Sequence, residues 1–116
     1  MELSKQSDTA ILAIVDPIMD NLMQASADID HARHVADFTD RLKDIVTAEH
    51  LEKVCKRYQA NWGMPGRRET VGVFRRSDSL AVVWKQWLTE TDDEFVAELV
   101  LVESDGRYLV DHVVFF

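Results

Sequence analysis

The chain has 116 residues, 47% of them hydrophobic and 29% charged, with a net charge of −8. That length holds one domain and one core, and the acidic balance argues against nucleic acid or an anionic membrane surface as a partner. A single cysteine, Cys55, leaves no disulfide framework and fits a reducing cytoplasm.

The apolar run Ile11–Val15 is too short for a signal peptide and ends at Asp16-Pro17. No stretch is long enough to span a bilayer, and no repeat or linker divides residues 1–116. Met1–Ser7 reads as polar and frayed. Asp8 then caps a first helix, in which Ile11, Ile14, Val15, Ile18, Leu22 and Met23 recur at three- and four-residue spacing. Pro17 either kinks this helix or sits in the first turn of a second piece capped by Asp16. The apolar stripe keeps its phase across the proline, which favours one bent helix ending near Ala25. After a connection at Ser26–Asp30, a second helix is predicted from His31 to Ile45, with Val35, Phe38, Leu42 and Ile45 on one stripe. Thr47 caps a third, Ala48–Asn61, whose face carries Leu51, Val54, Cys55 and Tyr58. Gly63, Pro65 and Gly66 stop it.

Four strands follow: Glu69–Arg76, Ser79–Glu90, Glu94–Glu103 and Arg107–Phe116, rich in Val, Leu, Phe, Tyr and Trp and separated by Ser77-Asp78, Asp92-Asp93 and Asp105-Gly106. Asp-Gly is a strong two-residue hairpin signal, because a type I′ turn needs positive φ at both central positions. The order is helices first, then an antiparallel meander: α+β rather than alternating βαβ. Gly72 marks a bulge or bend that helps the sheet curve around the helices.

With Asp105-Gly106 as the loop, Leu101 faces Val110, Leu99 faces His112 and Ala97 faces Val114. With Asp92-Asp93 as another two-residue loop, Trp84 faces Leu101 and Gln86 faces Leu99. One side then carries Leu80, Val82, Trp84, Leu88, Leu99, Leu101, Val110, Val114 and Phe116, with His112 and Gln86 among them. The other carries Val83, Lys85, Trp87, Val96, Glu98, Val100, Val102, Leu109, Asp111, Val113 and Phe115. Both sides are apolar, whereas a sheet with one wet face alternates cleanly. Helices cover one side. The other is expected to be a homodimer interface built from Lys85, Trp87, Val96, Glu98, Val100, Asp111 and Val113. Lys85 between Glu98 and Asp111 reads as an ion cluster inside that interface; the sharper alternative is an acid/base carboxylate pair.

The first helix with DPIMDNLMQA (Asp16–Ala25), the segment DFTDRLKDIVTAEHLEKV (Asp37–Val54), the strands VFRRSDSLAVVWKQ (Val73–Gln86) and the ending DGRYLVDHV (Asp105–Val113) together resemble the nuclear transport factor 2-like superfamily, in particular its small bacterial members of uncharacterised role. The resemblance implies a cystatin-like α+β cone: N-terminal helices packed on a curved four-stranded antiparallel meander. It also implies an open end that holds a ligand, and dimers built through the outer sheet face. It covers nearly the whole chain, yet its patterns contain no catalytic signature, and a fold alone does not supply a function.

Within such a cone, Tyr58, Trp62, Trp84, Gln86 and His112 are the expected lining of a pocket for a small apolar molecule, although aromatic side chains serve equally as plain core. Inside the cone His112 is the candidate acid/base, with Tyr58 as a hydrogen-bond donor, for an isomerase or hydratase. Few polar groups converge there, so a non-enzymatic, dimeric ligand-binding or interaction domain without cofactor is the leading expectation. His31, His34 and Asp37 lie three apart and drift around the helix, so they read as a solvated polar face rather than a metal site. Cys55 reads as a buried, inert thiol.

Overall fold

The computed structural model describes residues 2–116. A 3₁₀ turn at Leu3–Lys5 leads into α1 (Asp8–Asp28), α2 (His31–His34), α3 (Asp40–Ile45) and α4 (Ala48–Trp62). The strands β1 (Pro65–Arg75), β2 (Leu80–Leu88), β3 (Phe95–Ser104) and β4 (Arg107–Phe115) follow. The sheet order is β1-β2-β3-β4 and every pairing is antiparallel, so the expected α+β meander is present.

The helices follow their local chemistry with three differences, one of them that the first runs past Ala25 and takes in Ser26. The Ser7 hydroxyl, not Asp8, caps α1 by accepting from the Ala10 N–H. The helix runs unbroken through Pro17 to Asp28, because the stripe Ile11, Val15, Met19, Leu22 and Met23 stays buried on both sides of the proline. The expected helix from His31 to Ile45 splits into α2 and α3. Residues 37–39 give their backbone groups to β4 instead: the Val110 N–H donates to Asp37 O at 2.7 Å and the Thr39 N–H donates to Val110 O at 2.9 Å. A backbone engaged with a strand cannot also close helical hydrogen bonds, and Thr39 restarts the helix by capping Leu42.

The inner face of the sheet carries Leu80, Val82, Trp84, Ala97, Leu99, Leu101 and Val110, packed against Ile11, Val15, Met19, Leu22, Phe38 and Leu42. Leu3 joins this core. The N-terminal segment, expected to fray, is therefore anchored by one apolar side chain; Met1 lies outside the described residues.

Register sets which residues reach which face. Asp105 (φ 50°) and Gly106 (φ 79°) both take positive φ, and Leu101 faces Val110 as the turn dictates. Beyond that pair, Val100 faces His112 and Leu99 faces Val113, so Asp111 is an extra residue bulged out of β4. The bulge reverses the expected faces of the strand end. His112 and Val114 point outward; Val113 and Phe115 point inward. Its cause is tertiary: Thr39 Oγ1 donates to Asp111 Oδ1 at 2.8 Å, Arg41 Nε donates to the same oxygen at 3.1 Å, and Arg41 also holds the Asp111 carbonyl. Between β2 and β3, Trp84 faces Ala97 rather than Leu101, because residues 89–94 form the connection. That slip is even, so each β2 side chain keeps its expected face. Another register shift falls between Thr70 and Gly72, where the sequence predicts a bend.

Candidate functional site

A second buried cluster of Leu51, Cys55, Tyr58 and Leu88 sits beside the main core. There α1, α2, α4 and the end of β4 enclose a cavity of about 340 Å³. Its walls are Leu22 and Met23 from α1, Val46, Leu51 and Val54 at and along α4, and Val113 and Phe115 from β4. The β4 bulge turns those last two inward. The polar groups are Ser26, His34, His50, Cys55 and Tyr58; none of the lining residues is Lys, Arg, Asp or Glu.

Three of these form one buried cluster. Ser26 Oγ lies 2.7 Å from Tyr58 Oη and 3.2 Å from Cys55 Sγ. Gln59 Nε2 donates to the Ser26 and Ala27 carbonyls and, at 3.5 Å, to Tyr58 Oη, which ties the C-terminal end of α1 to α4. Burial pushes the Cys55 thiol and the Tyr58 hydroxyl above their ordinary pKa values, against the opposing pull of hydrogen bonds from Ser26. Both stay protonated at neutral pH, so the cluster is a set of neutral hydrogen-bonding groups and Cys55 is no thiolate nucleophile.

His34 is the other buried polar group. Its ring packs edge-on against Phe38, with centroids 5.3 Å apart. It is 9% exposed, and its Nδ1 is sealed from solvent with no hydrogen-bond partner. Burial, and secondarily the proximity of His31, lowers its pKa from 6.5 to about 4, so at neutral pH the ring is uncharged. His31 on the same helix and His50 on α4 are its titratable neighbours around the cavity.

A stability change follows. A histidine whose folded pKa lies below its unfolded value stabilises the fold above the unfolded value, and that contribution is lost as pH falls toward the folded one. Between pH 7 and pH 5 the loss is about 2 kcal/mol, at roughly 1.4 kcal/mol per pH unit inside the window. Urea unfolding of wild type and His34→Phe at both pH values measures it: the variant should lack this part of the decline. Equal declines in the two proteins would show that His34 is not held neutral.

Of the residues predicted to line a pocket, only Tyr58 does so. Trp62 packs against Phe95 at 5.1 Å, beside Leu88 and Tyr58. Trp84 and Gln86 are buried in the sheet core, where Gln86 Nε2 donates to the carbonyls of Gly66, Arg67 and Trp87. His112 is on the outer face, 2.9 Å from Glu98, because the bulge at Asp111 reverses its side. An acid/base role inside the cone is therefore not open to it.

Trp87, Val96, Glu98 and Val100 do lie on the outer face, but Val113 lies inside. The cluster of Lys85, Glu98 and Asp111 does not assemble. Lys85 pairs with Glu94 at 3.4 Å, Glu98 with His112, and Asp111 with Arg41. Asp111 feels a desolvation penalty that raises its pKa, yet the hydrogen bonds from Thr39 and Arg41 outweigh it and hold the carboxyl below its ordinary value. His31 Nε2 meets Val46 O at 2.8 Å and Asp37 pairs with Arg107 at 3.5 Å, so neither joins His34. The sequence reading missed Ser26, placed in a connection, and His34, placed on a wet face. His34 stands four residues before Phe38, on the apolar stripe, and that spacing was the available signal.

Similarity to known proteins is structural. The fold matches an NTF2-like protein of unknown function from Methylobacillus flagellatus KT, with TM-score 0.59 and 14% identity over 97% of this chain and 94% of that one. It also matches an NTF2-like protein of unknown function from Pseudomonas putida KT2440, with TM-score 0.58 and 14% identity over 95% and 88% of the two chains. The chain has the NTF2-like fold. Bd1075 from Bdellovibrio bacteriovorus is similar too (TM-score 0.54, 11% identity); 94% of this chain matches, spanning 42% of that protein. No protein-family model and no curated protein matches the sequence. Among the described residues, no helix is long and apolar enough to cross a membrane.

Proposed function

We propose that this NTF2-like chain is a non-enzymatic, homodimeric domain of the bacterial cytoplasm that binds a small, largely apolar molecule in the open end of its cone. The observation that carries the binding is the cavity itself: about 340 Å³ walled by Leu22, Met23, Leu51, Val54, Val113 and Phe115, a size and lining in the range of small-molecule sites. Ser26, Cys55 and Tyr58 are neutral and engaged with one another, and none of the lining residues is Lys, Arg, Asp or Glu. That supports binding over acid/base turnover.

The dimer rests on the outer sheet face. Val83, Trp87, Val96, Val100, Val102 and Leu109 are each only half-buried by their own chain, and Phe74 and Val114 are exposed. A contiguous apolar surface of this kind favours burial against a partner, and a second copy presents the same complementary patch. The free, buried Cys55 supports the cytoplasmic assignment.

Titration with isopropylbenzene, followed by ¹H–¹⁵N NMR, tests the binding. Saturable shifts of the Leu22, Tyr58 and Val113 amides are expected. Shifts confined to the outer face, or none at all, would remove the cavity from the account.

A further inference from the structure

We propose that the cavity selects a neutral molecule carrying one hydrogen-bond-accepting oxygen, such as a ketone, aldehyde or ester, which the His34 ring receives as donor. The inference rests on the ligand-binding reading above and says what chemistry that ligand has. A cavity of about 340 Å³ holds on the order of ten non-hydrogen atoms, taking roughly 30 Å³ for each as for liquid water. The walls are mainly aliphatic, so most of those atoms are carbon.

Charge decides the next point. With no Lys or Arg among the lining residues, an anion would be desolvated without a counter-charge, which is costly. A cation would equally lack Asp or Glu. The ligand is therefore neutral.

The tautomer of His34 decides which polar atom the ligand brings. Nδ1 is sealed and has no partner among the described residues. A buried N–H without an acceptor is rarer and costlier than a buried lone pair without a donor. The single proton of the neutral ring therefore resides on Nε2, and the imidazole offers a donor to the cavity. The remaining polar lining atoms do not compete for this role. Ser26, Tyr58 and Cys55 are already hydrogen-bonded to one another and to Gln59, and His50 is on the exposed rim. A donor on a buried ring, without a partner among the described residues and set in a mainly aliphatic wall, matches an accepting oxygen on an apolar body.

Three probes of nearly equal shape separate the outcomes: isopropylbenzene, acetophenone and benzoate, titrated into the whole chain at pH 7 with cavity amides as the readout. Acetophenone is expected to bind about five- to tenfold tighter than isopropylbenzene, the worth of one buried hydrogen bond, with benzoate weakest. In His34→Phe, which keeps a ring against Phe38 and removes the donor, the preference for acetophenone over isopropylbenzene should vanish. Equal affinities for acetophenone and isopropylbenzene in wild type overturn the donor assignment and leave the ligand-binding reading standing. Tightest binding of benzoate overturns the neutrality argument. Failure of both neutral probes to bind sinks the ligand-binding reading together with this inference. The wild-type comparison decides even if the variant does not fold.

Discussion

Gly63→Ala should cost about 3 kcal/mol and lower the melting temperature by roughly 10 °C, one of the largest effects of any single methyl added to this chain. Gly63 ends α4 with φ 87° and ψ −153°, a region open to glycine almost alone. A methyl there would lie 2.3 Å from Thr89 Oγ1, 2.6 Å from Glu90 Cγ and 3.1 Å from Glu90 N. The two side-chain contacts can relax by rotation, but the backbone nitrogen cannot easily move. Glu90 N donates to Trp62 O at 2.9 Å, and Thr89 N donates to Met64 O at the same distance. The strain therefore falls on the joint that fixes α4, and with it Leu51, Cys55 and Tyr58, against β2. Gly106 provides the control: its φ is also positive, but nothing lies within 4 Å of the added methyl. Gly106→Ala should cost only about 1 kcal/mol. Thermal unfolding of both variants measures the difference, and equal costs would mean that the packing at the end of α4 is not tight.

Val100→Glu should dissociate the proposed dimer, weakening it by roughly a hundredfold or more, while each protomer keeps its fold. Val100 sits mid-strand on the outer face, opposite His112 and two residues from Glu98, the partner of His112. Its side chain is half-exposed in the isolated chain, so a carboxylate there is solvated in the monomer and costs little. Brought against a second copy, two new carboxylates would lose water together, and each buried ion costs several kcal/mol without a cation. Lys85 is not free to compensate, being paired with Glu94. Light scattering gives the mass and circular dichroism the fold. A variant that stays dimeric would place the contact elsewhere, and one that unfolds would show that Val100 belongs to the core.

The meander and the last hairpin were legible, because turn chemistry is local: Asp105-Gly106 sets two positive φ angles and thereby Ser104 opposite Arg107. The bulge at Asp111 was not legible, because its cause lies about 70 residues away in Thr39 and Arg41. The strand offered no warning either. Val113-Val114 and Phe115-Phe116 are apolar in either phase, so the pattern fits both faces equally well. One such residue moved His112 from the expected pocket to the outer face and turned Val113 and Phe115 inward. The break between α2 and α3 has the same origin, since Phe38 looks helical by spacing but bridges to Val110. The site suffered most for a plain reason. A cavity is bounded by what fails to fill it, and Ser26, His34 and Tyr58 come from three helices whose approach no local pattern encodes.

The two-sided apolarity of the sheet did survive, although the bulge exchanged Val113 and Phe115 for His112 and Val114. The most direct test of the account is sedimentation velocity of the wild-type chain at low micromolar concentration. The account predicts a species of about twice the 13.3 kDa chain mass. A clean 13.3 kDa monomer at that concentration, with Trp87 and Val100 open to water, would contradict it.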